Sequence, residues 1–118
     1  MPSLPNPVDR ECLPCYLYRV AGTEPCAANL RALMHYRDNS APRATALERK
    51  IKLLGGFCDC EVLLNVFRPI TDEAARAVDE GLDMVCKGTR RGSIQPCEQW
   101  MMRRGVQWGG GQFRSRSA

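Results

Sequence analysis

Seven cysteines stand beside one histidine in this chain of 118 residues, so thiol chemistry is the chemistry the sequence is best equipped to do. Zinc takes four soft ligands in a tetrahedron, with thiolate sulfurs about 2.3 Å from the ion. A pair such as Cys12-Leu13-Pro14-Cys15 aims two sulfurs at one point from a single tight turn. Cys58-Asp59-Cys60 does the same if its turn is sharp, with Asp59 forced outward. Cys12, Cys15, Cys58 and Cys60 are therefore the expected ligands of one Zn2+. Cys26 competes for one of these positions. Cys86 and Cys97 form a further pair, which completes a second site with Cys26 or is simply buried as small apolar side chains. His35 falls on an apolar-faced helix and reads as a packed or surface residue rather than a ligand.

Other chemistries fit less well. Redox-active CxxC pairs sit between a strand and a helix, whereas a proline-rich stretch precedes Cys12; a thiol redox protein using Cys12 and Cys15 stays as an alternative. The cysteine spacings match neither ferredoxin pattern. There is no GxSxG, HExxH or GxxxxGK[ST], and one histidine leaves little room for a histidine-activated nucleophile. An open zinc site would need a base, for which Glu61 is the candidate. No catalytic residue and no small-molecule substrate is read from the sequence, and the expectation is a protein that is not an enzyme.

Such a zinc site needs elements to hold it. Residues 1–9 carry three of the eight prolines and read as an extended arm. A turn at Cys12–Cys15 enters a short helix through Tyr16, Leu17 and Val20, ended by Gly22 to Pro25. Leu30, Leu33 and Met34 recur at helical spacing between Cys26 and Tyr36, and Ser40-Ala41-Pro42 breaks that helix. Ala44, Leu47, Ile51 and Leu54 mark the clearest helix, with Pro42 in its first turn and Gly55-Gly56 at its stop. The apolar run from Phe57 to Phe67 fits a buried strand or a short buried helix; a turn holding Cys58 and Cys60, then a short helix with Asp59 near its start, closed by Arg68-Pro69, is the preferred reading. Thr71-Asp72-Glu73 opens an exposed helix through Met84. The expected fold is mainly α: a small single domain over residues 10–100, three to five short helices clipped by a Cys-ligated metal. Residues 101–118 are expected to be a basic, flexible C-terminal tail.

Charge divides the chain unevenly. The net is +4, yet residues 87–118 hold seven basic residues and the single acid Glu98. A near-neutral body with a basic end is a footprint for a polyanion or an acidic partner, or else a solubilising tail. Arg90, Arg91, Arg103 and Arg104 supply guanidinium groups suited to phosphate, and Trp108 could stack on an exposed base. RNA contact through this segment, or a stand-alone nucleic-acid-binding protein, follows as an expectation. No run approaches the roughly 20 apolar residues of a membrane span. The N-terminus lacks the cationic start and apolar core of a secretory signal. A reducing, cytoplasmic location is expected, where persistent disulfides are uncommon.

Gly55-Gly56-Phe57-Cys58-Asp59-Cys60-Glu61 and the apolar run to Val66 resemble the signature of an uncharacterised bacterial Cys-rich family of unknown function, GG[FY]CDCE. Glu11-Cys12, Cys15-Tyr16, Cys26, Tyr36-Arg37-Asp38 and the stretch from Ala41 to Arg49 are similar to it as well. Arg90-Arg91-Gly92-Ser93, Gln95-Pro96-Cys97 and Trp100 resemble a longer subgroup. Small proteins of this kind resemble accessory factors of zinc-responsive ribosome remodelling. The resemblance implies a zinc-binding adaptor or regulator, a recruitment factor of the ribosome-hibernation type, with a protein or ribonucleoprotein partner.

Overall fold

A computed structural model describes residues 4–21 and 28–102. Cys26 and residues 103–118, including Arg103, Arg104 and Trp108, lie outside the described residues. The order is α1 (Leu13–Ala21), α2 (Arg31–Ser40), α3 (Leu47–Leu53), a short turn α4 (Asp59–Glu61) that widens into a π-helical turn (Val62–Val66), β1 (Phe67–Pro69), α5 (Asp72–Glu80) and β2 (Trp100–Met102). The fold is mainly α, as composition and periodicity suggest.

One core joins these elements. Helix α1 buries Leu13, Tyr16, Leu17 and Val20, the i, i+3, i+4, i+7 stripe of an amphipathic helix. They pack with Leu33 and Tyr36 of α2, Leu47 and Ile51 of α3, and Val62 and Val66 of the π-helical turn. Burying each such aliphatic side chain stabilises the fold by about 1.5–3 kcal/mol. The rings of Tyr16 and Tyr36 lie 5.6 Å apart. Tyr36 donates its hydroxyl to the Glu11 carbonyl at 2.8 Å, which fixes the segment just ahead of Cys12.

The N-terminal arm is docked. Tyr16 donates to the Pro5 carbonyl and Arg19 to that of Asn6. Arg19 also grips the buried Glu11 carboxylate with two bonds, at 2.9 and 3.0 Å.

Helix α3 starts five residues later than Pro42, because residues 42–46 close tighter turns, with Ala44 N–H on Ala41 and Thr45 N–H on Arg43. Its end is as expected. Gly55, at φ +99°, donates to Lys52, and Gly56 donates to Ile51, the paired bonds of a Schellman stop. Gly56 answers to a different constraint. A Cβ there would stand 2.8 Å from Ile51 Cγ2 and 3.1 Å from Val62 Cγ2, so bare backbone is what lets α3 meet the next turn.

Helix α5 opens on Thr71, whose hydroxyl accepts from Ala74 N–H, and stops at left-handed Gly81, short of Met84. The two strands were not anticipated. β1 and β2 pair antiparallel, Phe67 with Met102 and Pro69 with Trp100. Met101 and Met102, assigned to the tail from sequence, thus belong to the folded body, and Met102 enters the core. At three residues each, the strands are too short for an alternating pattern to register.

A candidate metal centre

The first half of the centre is set by α1. Cys12 precedes the helix and Cys15 lies in its first turn, both in the core, with the apolar stripe of α1 holding that turn in place. The second half comes from the long connection after α5. Cys86 is half-buried, and Cys97 is buried just ahead of β2. Pairing of β2 with β1 and burial of Trp100 bring Cys97 back onto α1.

The four sulfurs of Cys12, Cys15, Cys86 and Cys97 all lie within 4.8 Å of one another. The Cys15 and Cys97 sulfurs are 3.8 Å apart. Tetrahedral zinc–thiolate bonds of 2.3 Å imply a ligand-to-ligand edge of about 3.8 Å, so the cluster is close to the dimensions an ion would impose.

Each sulfur also receives N–H donors. The amides of Cys12 and Gly88 point at the Cys86 sulfur, each at 3.3 Å. The indole N–H of Trp100 points at Cys15 at the same distance. Backbone amides of Cys15 and Cys97 serve Cys12, and those of Gln99 and Lys87 serve Cys97. Such donors stabilise negative sulfur and orient it towards a metal. Gly88 sits at φ +91°, a left-handed residue that turns its own N–H back to the cysteine two positions earlier.

Ionisation within the cluster is unequal. Hydrogen bonds with Cys12 and Cys15 hold Cys97 far below the ordinary thiol range. Cys15 is pushed up by its bonds to Cys12 and Cys97, then by burial. For Cys12 the bond with Cys15 favours ionisation, but donation to Cys97 together with burial outweighs it and raises the thiol. Cys12, Cys15 and Cys97 thus titrate as one coupled group, the behaviour of thiols close enough to share protons.

The sequence joined Cys12 and Cys15 to Cys58 and Cys60. The structure joins them instead to Cys86 and Cys97. Cys58 and Cys60 flank Asp59 at the start of α4, half-buried and outside the cluster. Asp59 does not turn outward. Its two carboxylate oxygens accept the Ala32 and Leu33 N–H groups at 2.9 and 3.0 Å and cap α2 from a distant part of the chain. Burial nevertheless raises this carboxyl above its ordinary range, against the pull of those two bonds. Glu61 reaches back to the Phe57 N–H at 2.9 Å, and Asn65 donates to the Gly55 carbonyl. The Gly-Gly-Phe-Cys-Asp-Cys-Glu run therefore organises the junction of α2, α3 and α4. His35 meets Asn6 and Asn39, away from the sulfurs.

Cys86 and Cys97, read from the sequence as a possible second site, stand instead with Cys12 and Cys15; a signal for this is the Cys86-x-Gly88 step that lets an amide face the Cys86 sulfur. Arg90 and Arg91, singled out for phosphate, are exposed on the loop between Cys86 and Cys97.

Residues 13–65 match a family described as a protein of unknown function, DUF2695. The matched segment runs from α1 to the π-helical turn. It holds Cys15 of the cluster, while Cys12, Cys86 and Cys97 fall outside it. No curated protein and no solved structure matches the chain. Residues 13–65 are thus similar to that family, and the chain also holds a four-cysteine cluster that could bind a metal ion. Among the described residues, no helix is long and apolar enough to cross a membrane.

Proposed function

We propose that Cys12, Cys15, Cys86 and Cys97 bind one zinc ion as a closed tetrathiolate site, and that the protein is a non-catalytic adaptor or regulator whose folded state depends on that ion. The observation that carries this reading is four sulfurs within 4.8 Å of one another, every one of them served by N–H donors. Four protein ligands fill a tetrahedron and leave no open position for substrate or water, which favours a structural or sensing role over catalysis. The ion would close the chain between residues 12 and 97, where the covered elements are short and the strands have three residues each. Such a clip is worth most in a small domain.

A partner of protein or ribonucleoprotein type, and a role in zinc-responsive ribosome hibernation, rest on the family resemblance read from the sequence. The compartment follows from the thiols: a reducing cytoplasm keeps the cluster available to metal. A redox role for Cys12 and Cys15 fits less well, because both sulfurs are buried and exchange needs access to a thiolate.

Cobalt substitution tests the ligand set. Co2+ added to anaerobic, metal-free protein should give the absorption of a tetrahedral tetrathiolate and restore helicity. Absence of thiolate-to-cobalt absorption, with the chain already folded, would contradict the reading.

A further inference from the structure

The loop between Cys86 and Cys97 forms one wall of a cleft of about 440 Å³, and the start of α3 forms the other. Arg43 and Lys50 line it from the α3 side, Arg90 and Arg91 from the loop, and no aspartate or glutamate lines it. Thr45 and Ser93 add hydroxyls, and Leu47 and Ile94 contribute apolar lining. Cations from both walls meet at one concave volume, Arg43 and Arg90 without an ion pair among the described residues, and the low-dielectric walls focus their field outward. A scatter of solvated surface charges would not converge in this way.

The partners of these cations point the same way. Neither Arg43 nor Arg90 has an ion-pair partner among the described residues. Arg91 donates Nε and Nη2 to the Asp9 carboxylate, both at 2.8 Å, in an exposed pair that leaves Nη1 outside it. Asp9 lies in the adjoining depression of about 220 Å³, which shares Arg90 and Arg91 with the cleft. The loop itself is held by Thr89 N–H on the Arg10 carbonyl and by Tyr36 on the Ser93 carbonyl. Its volume suits a small ligand, and guanidinium groups with hydroxyls suit tetrahedral oxyanions.

We infer that this cleft binds a phosphate group, held between Arg43 and Lys50 on one side and Arg90 and Arg91 on the other. The phosphate could belong to a compact phosphorylated small molecule or to the backbone of a nucleic acid; the recognising chemistry is shared. Because Cys86 and Cys97 bracket the arginine-bearing loop, a metal at the cysteine cluster fixes one wall of the cleft. That coupling rests on the metal reading, whereas the cleft does not.

Calorimetric titration of the full-length, zinc-loaded chain with pyrophosphate, and separately with a short single-stranded RNA, tests the inference. The variants are R43A/K50A, R90A and, as a control cation elsewhere on the surface, R68A. Circular dichroism and zinc content are recorded on the same samples. The expected result is binding weakened about tenfold or more in R43A/K50A and R90A, with R68A unchanged. Pyrophosphate binding that displaces the RNA assigns a compact phosphate, and RNA binding alone with the same variant dependence assigns a nucleic-acid backbone; both uphold the cleft. Binding of neither probe by the folded wild type would overturn it, as would equal loss in R68A. A chain that takes up no metal yet binds pyrophosphate with the same arginine dependence upholds the cleft and overturns the metal reading.

Discussion

The indole N–H of Trp100 lies 3.3 Å from the sulfur of Cys15, joining the first residue of β2 to the first turn of α1. Both groups are buried. The bond links the sheet to the cysteine cluster and supplies a donor that opposes, without reversing, the upward push of the thiol neighbours and burial on that sulfur. Trp100→Phe keeps most of the ring volume and deletes the donor. Its zinc affinity, measured by competition with a chromogenic chelator, should fall about 10-fold or more, the usual effect of losing a partner of a metal ligand. The helical signal of the loaded protein should stay close to that of the wild type.

Asp59 gives a prediction of the opposite kind. Asp59→Ala removes the acceptor for two α2 amides and should cost about 1–2 kcal/mol in denaturant unfolding, as loss of a helix cap does. Zinc stoichiometry should not change.

The same carboxyl sets a pH dependence. Burial raises its folded-state pKa above the ordinary 3.8, so the folded chain holds this proton more tightly than the unfolded one. Its contribution to stability is fully present below about 3.8 and is lost as pH rises through the folded value. Asp59→Asn never titrates and should flatten that part of the stability–pH curve relative to wild type.

Gly56 tests the packing of α3 on the π-helical turn. A methyl group there would approach Ile51 to 2.8 Å and Val62 and Val66 to 3.1 and 3.2 Å. Gly56→Ala should destabilise the chain by about 1–3 kcal/mol, the range for overpacking, read from the midpoint of urea unfolding.

Metal uptake should release protons. The neighbouring thiols and burial push the Cys12 and Cys15 thiols up in the metal-free cluster, and a thiol must ionise to bind metal. Calorimetry of zinc binding in buffers of different ionisation enthalpy should show net proton release, and affinity should fall as pH drops.

Sequence carried the helices further than it carried the site. The stripes of α1 and α3 and the Gly55-Gly56 stop were legible because each is a local pattern of spacing or backbone freedom. The cysteine grouping was not. Cys58-Asp59-Cys60 has the closer spacing, yet capping of α2 by Asp59 places it at the α2–α4 junction, while a three-residue β-pairing carries Cys97 to α1. That pairing is non-local and leaves no periodic trace. What the sequence offered instead was Gly88 after Cys86, whose left-handed backbone returns an amide to the sulfur.

The central claim is tested most directly by native mass spectrometry of anaerobically purified protein as wild type, C86S/C97S and C58S/C60S. One zinc per chain in the wild type and in C58S/C60S, lost in C86S/C97S, is the predicted result. Zinc retained by C86S/C97S and lost from C58S/C60S would contradict the account and move the ion to the other cysteine pair.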